Sequence, residues 1–182
     1  PFNPGIDGNL TGYDEAIAKM RAEGLSVNGL TLPRSGGFIA SLATEMLFNM
    51  PMESWRSMRG KSAEERLAMI KNDDFRQKLI EEAKNTPRLA EAARNYFYLG
   101  DGDRPNYTRD RDDNVASMAQ AVGEHPAETI LRMMIETDGK AQFHMRFFNN
   151  NLEQVKKFLQ EDWILPGLGD AGAHVSQIMD SG

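Results

Sequence analysis

Apolar residues recur at helical spacing along much of the chain. A first helix is predicted over 11–23, with Ile17 and Met20 on one face and Gly24 just after its end. Further helices are predicted over 38–48, 64–71, 73–84 and 87–93. The pattern therefore predicts an all-helical block over 38–95.

Short sequence signals mark where several helices begin. Ser62 and Glu65 have the spacing of a capping box, in which each side chain bonds the backbone N–H of the other residue. Pro87 and Pro126 suit the first position of a helix, where no backbone N–H is needed. His125, directly before Pro126, is therefore interpreted as a helix cap or a surface group.

Four segments have the alternation or the apolar composition of strands. They cover 25–32, 96–99, 143–148 and 163–168. Helices are predicted between the later strands, over 114–122, from Pro126 onward, and over 152–160 with Asn149 and Asn150 as its cap. An alternation of strand, helix and strand is typical of βαβ units on a parallel sheet.

The order of these elements predicts an α/β fold made of the last strands of a TIM-type (β/α)8 barrel, with a mostly helical insertion. Residues 1–37 would supply a barrel helix and strand, and 38–113 the insertion. Residues 114–182 would supply the C-terminal βα units, ending at the strand before Asp170. The chain starts in a turn and stops soon after Asp170, so we expect it to be a segment of a longer protein.

Composition narrows the classes of function. The 182 residues carry a net charge of −6, which disfavours nucleic acid as a partner. There is no cysteine, which excludes disulfides and thiolate zinc ligands. No apolar run approaches the ~18 residues of a membrane span, and the first residues do not resemble a signal peptide. We therefore expect a cytoplasmic protein with no membrane partner.

The most informative stretch is 164–174, a short apolar strand that ends in Gly169-Asp170-Ala171-Gly172 with His174 beyond it. A carboxylate at the C-terminal end of a barrel strand suits a metal ligand or a general base. Asp170 also fits a simple turn or helix cap. His174 is predicted to bind substrate and also fits a metal ligand or a proton carrier; the alternative is a histidine bonded to the backbone of its own loop.

Other candidate groups are weaker. Arg34 and Ser35 follow the strand at 25–32 and could place a guanidinium and a hydroxyl over a carboxylate ligand, or simply form a surface loop. His144 lies in a predicted strand and is interpreted as structural. A zinc site needs three or more protein ligands, and this chain offers only Asp170 and one uncertain histidine.

Several segments resemble the C-terminal half of the barrel in N-acyl-D-amino-acid deacylases, the D-aminoacylase branch of the metal-dependent amidohydrolase superfamily. The most specific is Gly167-Leu168-Gly169-Asp170-Ala171-Gly172-Ala173-His174. The others are 125–131, 136–140 and 149–155, together with 64–67 and 73–79 in the helical block.

The resemblance implies a zinc-dependent hydrolase that cleaves the amide bond of a small N-acylated amino acid or a related amide. Asp170 matches the family's aspartate at the end of the last barrel strand, which helps to hold the metal and moves the proton. The family's histidine ligands lie on earlier strands, so we expect this chain alone to bind zinc poorly, to be inactive, and to self-associate through exposed strand edges. A non-enzymatic helical interaction domain and an amidohydrolase-like protein that has lost catalysis remain open alternatives.

Overall fold

The computed structural model describes residues 11–167 and 178–180. This part of the chain divides into two compact units. The helical unit comprises 38–145 and residue 178. The parallel-strand unit comprises 11–37, 146–167 and 179–180.

Short helices and strands follow one another along the described chain. They are α1 (Thr11–Ala22), β1 (Gly29–Thr31), β2 (Gly36–Ala40), α2 (Glu53–Arg56), α3 (Ala63–Lys71), α4 (Asp73–Lys84), α5 (Pro87–Ala92), β3 (Tyr96–Gly100), α6 (Val115–Val122), α7 (Pro126–Glu136), β4 (Gln142–Phe148), α8 (Leu152–Phe158), β5 (Ile164–Pro166) and β6 (Ile178–Asp180). Two 3₁₀ turns lie at Met46–Asn49 and Ala93–Asn95. The architecture is mixed α/β.

The core of the helical unit forms around α7. Its inward stripe includes Ile130, Leu131 and Met134, which pack in one cluster with Leu79 of α4 and Phe143 of β4. Removing side chains of this size from water contributes roughly 1.5–3 kcal/mol each. Apolar burial along the 3.6-residue period is therefore what holds these short helices together.

Side-chain caps fix the starts of several helices, as the sequence predicts. Ser62 Oγ accepts a hydrogen bond from the Glu65 N–H at 3.2 Å, and the Ser62 N–H donates to Glu65 Oε2 at 2.7 Å. This capping box confirms the predicted start of α3. Asn114 caps α6 in a related way, by accepting from the Ser117 N–H at 3.0 Å.

One charged side chain is central to the packing of the helical unit. Arg66 is only 1% exposed, and its guanidinium lies 4.1 Å from the Phe48 ring centroid. It donates to the backbone carbonyls of Leu42 at 2.7 Å, Met58 at 2.9 Å and Thr44 at 3.0 Å. It also pairs with the Glu45 carboxylate. The sequence predicts α3 as a charged helix and gives no sign that this arginine lies inside.

The described strands form two small sheets, and neither closes into a barrel. β1 pairs with β5, and the other sheet has the order β3-β4-β2-β6. β3 and β4 are antiparallel, with Tyr96 opposite Met145 and Tyr98 opposite Phe143. A register shift between Tyr98 and Gly100 bends this ladder.

Two predictions of secondary structure are wrong. The helix expected over 38–48 is instead the end of β2 followed by a 3₁₀ turn. Both faces of β2 are largely buried, so the segment shows no polar alternation and cannot be told from a buried helix by its pattern. The βαβ unit expected over 143–168 is absent, because β4 and β5 belong to different sheets and β4 pairs antiparallel with β3.

Candidate site at the carboxyl ends of the strands

The candidate site lies in the parallel-strand unit, where β1 and β5 end together. The two strands are parallel, with Leu30 opposite Leu165 and Thr31 opposite Pro166. The Gly167 N–H continues the ladder by donating to the Thr31 carbonyl at 2.9 Å. Because parallel strands end at the same edge, the segments that follow Thr31 and Pro166 both leave from that edge.

Close backbone packing holds this pair of strands in register. The Gly29 N–H donates to the Trp163 carbonyl at 2.7 Å. A Cβ on Gly29 would lie 2.7 Å from Ile164 Cδ1 and 3.1 Å from the Trp163 ring. A side chain at this position would therefore require the Ile164 side chain and the Trp163 ring to move, which glycine avoids.

Asn149, which directly follows β4, ties the loop after that strand to the loop after β1. Its Nδ2 donates to the Leu32 carbonyl at 2.9 Å and approaches Thr31 Oγ1 at 3.4 Å and the Arg34 carbonyl at 3.5 Å. The Asn149 backbone has φ of 55°, a left-handed conformation that asparagine tolerates better than most residues. The loop after β1 and the loop after β4 thus meet at one asparagine.

Ser35 and Arg34 lie in this loop, as the sequence predicts. Ser35 is buried, and its Oγ donates to the Asn149 carbonyl at 3.1 Å. Its hydroxyl proton is therefore used within the protein, while the oxygen keeps its capacity to accept. Arg34 is partly buried. A role of either residue in binding substrate stays a prediction.

Asn150 differs sharply from its neighbours. Its Nδ2 and Oδ1 are both shielded from solvent, and neither has a hydrogen-bond partner in the structure as described. The prediction that Asn149 and Asn150 cap the next helix is wrong, because Asn151 is the cap and accepts from the Gln154 N–H at 3.2 Å. The run of three asparagines is the one sequence signal of another role, since a cap needs only one of them.

The predicted catalytic residue Asp170 and the predicted substrate-binding residue His174 lie outside the described residues. Their segment follows Gly167, which lies at the carboxyl edge of β5. Arg146, in β4, is a buried cation that is not predicted from the sequence. Burial lowers its pKa.

The other two histidines have structural positions. His125 caps α7: its Nδ1 accepts from the Ala127 N–H at 3.3 Å, and its N–H donates to Glu128 Oε2 at 2.7 Å. Burial lowers the pKa of His125, while the Glu128 carboxylate acts in the opposite sense. His144 is buried in β4, with its ring edge-on to Tyr107 at 5.7 Å between centroids. The cap at His125 agrees with the interpretation made from the sequence.

Beside His125, a small apolar pocket opens between helices of the helical unit. Trp55, Tyr96 and Ile130 contribute to its lining, and its free volume is about 30 Å³. That volume holds about two water molecules and no substrate. Burial raises the pKa of Tyr96, which therefore stays a neutral phenol at physiological pH. We assign no catalytic function to this pocket.

Within 11–167 and 178–180, no three histidine, aspartate or glutamate side chains come together as a metal site. The described residues alone therefore do not fit the zinc that the resemblance implies. Over the same residues, no helix is long and apolar enough to cross a membrane. Comparison of the chain with protein-family models, with curated proteins and with solved structures found no match.

Proposed function

We propose that this chain is part of a metal-dependent hydrolase that cleaves the carbon–nitrogen bond of an amide, with a small N-acylated amino acid as its substrate. The observation that carries the proposal is the shared carboxyl edge of β1 and β5. The loop with Arg34 and Ser35 and the segment that leads to Asp170 both leave from this edge. Parallel strands bring distant parts of a chain together at such an edge, which is where α/β enzymes place their catalytic groups.

In the proposed reaction, Asp170 moves the proton. Its carboxylate takes a proton from the attacking water, and the water oxygen bonds to the amide carbon. The proton then passes to the amide nitrogen, the carbon–nitrogen bond breaks, and a carboxylic acid and an amine are released. Arg34 would pair with the carboxylate of the amino acid, and Ser35 and His174 would contact the substrate.

Zinc, when bound, would supply Lewis acidity at the amide carbonyl and at water. Asp170 would be one ligand, as the resemblance implies. His125 Nδ1 already accepts from the Ala127 N–H, and the family that the chain resembles carries its histidine ligands on earlier strands, so the remaining ligands would come from a longer protein. The proposal therefore requires a longer protein for activity and gives the 182-residue chain none.

Asp170→Asn in that longer protein tests the proposal. We expect kcat for N-acetyl-D-amino acids to fall by about 10²–10⁴-fold, because the amide side chain cannot take up the proton. Asp103→Asn is the matched control, since Asp103 is an exposed loop residue of the helical unit, and its activity should equal the native value. Near-native turnover in Asp170→Asn would refute the assignment.

Metal analysis of the purified 182-residue chain tests the ligand count separately. We expect far less than one zinc per chain after exposure to a slight excess of zinc and desalting. One zinc bound per chain would show that these residues complete a site by themselves, and would contradict the need for ligands from elsewhere.

A further inference from the structure

The side-chain amide of Asn150 is unsatisfied within the described residues. Its Nδ2 and Oδ1 are both shielded from solvent, and neither has a hydrogen-bond partner in that part of the chain. A buried amide without hydrogen bonds destabilises a folded protein, so native structures rarely keep one unless it has a use. The neighbouring Asn149 makes the contrast clear, since its amide nitrogen is engaged with the loop after β1.

The surroundings hold Asn150 in place at the carboxyl edge. The residue before it is fixed by its own bonds to the Leu32 carbonyl and from Ser35 Oγ. The residue after it, Asn151, is fixed as the cap of α8. With both neighbours bonded, the backbone at Asn150 is restrained while its side chain remains unsatisfied.

The chemistry of a carboxamide restricts what can satisfy it. Nδ2 offers hydrogens and Oδ1 offers lone pairs, so a complete partner must bring both an acceptor and a donor. An ionised carboxylate only accepts, and an ammonium group only donates. A neutral amide brings a C=O and an N–H together.

We propose that Asn150 is a substrate-recognition residue that hydrogen-bonds the neutral amide group of the bound ligand. The inference rests on the proposed function for the identity of the ligand as an N-acylated amino acid, but its observation, the unpaired carboxamide, is independent of catalysis. Both side-chain atoms are covered in the free chain, so the ligand must displace what covers them. Association is therefore slower than diffusion.

Two ligands of matched shape test the chemistry. N-acetylglycine and levulinate have the same chain of heavy atoms and the same carboxylate, but levulinate has a CH₂ where N-acetylglycine has the amide N–H. In the 182-residue chain with ¹⁵N-labelled asparagine, we expect N-acetylglycine to shift the side-chain NH₂ resonances of Asn150. Levulinate should bind at least tenfold more weakly. Equal shifts with both ligands, or none with either, would overturn the proposal.

Asn150→Leu tests the role through local stability and through ligand affinity, because leucine has a similar volume and needs no hydrogen bonds. Hydrogen exchange at the Gly29 and Gly167 amides reports the local stability of the strand pair. We expect exchange in Asn150→Leu to be as slow as in the native chain or slower, with N-acetylglycine affinity reduced at least tenfold. Asn28→Leu, at an exposed asparagine of the same unit, should leave exchange and affinity unchanged.

Faster exchange in Asn150→Leu would overturn the inference, because it would show that water or the chain already satisfies the native amide. Neither readout requires metal or turnover. Failure of Asp170→Asn to lose activity would therefore refute the proposed reaction and leave the role of Asn150 standing.

Discussion

The two units treat buried polar groups in opposite ways. In the helical unit, the guanidinium of Arg66 is almost fully buried and meets three backbone carbonyls, one carboxylate and one aromatic face. In the parallel-strand unit, the side-chain amide of Asn150 is shielded from solvent and has no hydrogen-bond partner among the residues that the structure describes. The Arg66 guanidinium stabilises the residues around it. The Asn150 amide would do the same only when a ligand binds, as we propose.

The same difference extends to apolar side chains. Leu79 and Leu131 are 0% and 1% exposed in the core of the helical unit. Leu30 and Leu165, which are register partners in the parallel-strand unit, are 73% and 49% exposed. We expect this difference if the proposed site lies in the parallel-strand unit, because functional regions often keep exposed apolar residues and unsatisfied polar groups that a packed core does not.

The largest expected effect comes from breaking the Arg66 network. Arg66→Met keeps much of the volume but leaves Glu45 and three carbonyls without their donor, so we expect a loss of about 3–5 kcal/mol in the free energy of unfolding. Urea denaturation measures it. Arg59→Met, at an exposed position, should change stability by less than ~0.5 kcal/mol. If the free energy of unfolding of Arg66→Met fell by less than ~1 kcal/mol, the buried guanidinium would not be a stabilising group, and the two units would not differ in this respect.

A smaller effect on stability is expected at the cap of α7. His125→Ala removes the cap and should lower the free energy of unfolding by about 1 kcal/mol. The native chain should also depend on pH here, because burial lowers the pKa of His125 and protonation of Nδ1 would remove the acceptor for Ala127.

The sign of that pH dependence follows from the lowered pKa. The unfolded chain takes up the proton first, near pH ~6.5. The free energy of unfolding should therefore fall as pH drops from that value to the folded pKa, and level off below it. Serine also caps a helix and does not titrate. The difference in the free energy of unfolding between the native chain and His125→Ser, measured by urea titration at several pH values, therefore isolates the contribution of His125. A difference that does not change with pH would contradict the role of the cap.

The smallest effect on stability is expected in the parallel-strand unit. Because Leu30 is exposed, Leu30→Lys should change the free energy of unfolding by less than ~0.5 kcal/mol. It should nevertheless reduce self-association, measured by light scattering, because it puts a charge on an exposed apolar strand face. Leu25→Lys adds the same charge at an exposed leucine outside the strand pair. Equal association in native chain and Leu30→Lys would show that this face is not involved.

Local chemistry explains what the sequence alone could predict. The starts of α3 and α7 were predictable because Ser62, Glu65 and Pro126 act on atoms within one turn of their own helix. The cap at His125 was predictable for the same reason. Such signals need no knowledge of the rest of the fold.

Non-local partners explain the failures. β2 is a strand because neighbouring strands bond it, which its apolar residues cannot reveal. The burial of Arg66 depends on carbonyls up to 24 residues away. Asn149 bonds to the loop at Leu32, 117 residues earlier, and only that contact distinguishes it from an ordinary cap. The predicted site residues Arg34 and Ser35 were placed correctly after a strand, but their asparagine neighbours could not be foreseen.

The packing of Trp163 against Gly29 has a practical consequence. The chain has only two tryptophans; the other, Trp55, is buried in the helical unit and donates from Nε1 to the Leu79 carbonyl at 3.0 Å. Each unit therefore carries one tryptophan fluorophore. Replacing either tryptophan with phenylalanine would leave a tryptophan emission spectrum that reports on one unit alone. Thermal unfolding of the helical unit and of the parallel-strand unit can therefore be followed separately.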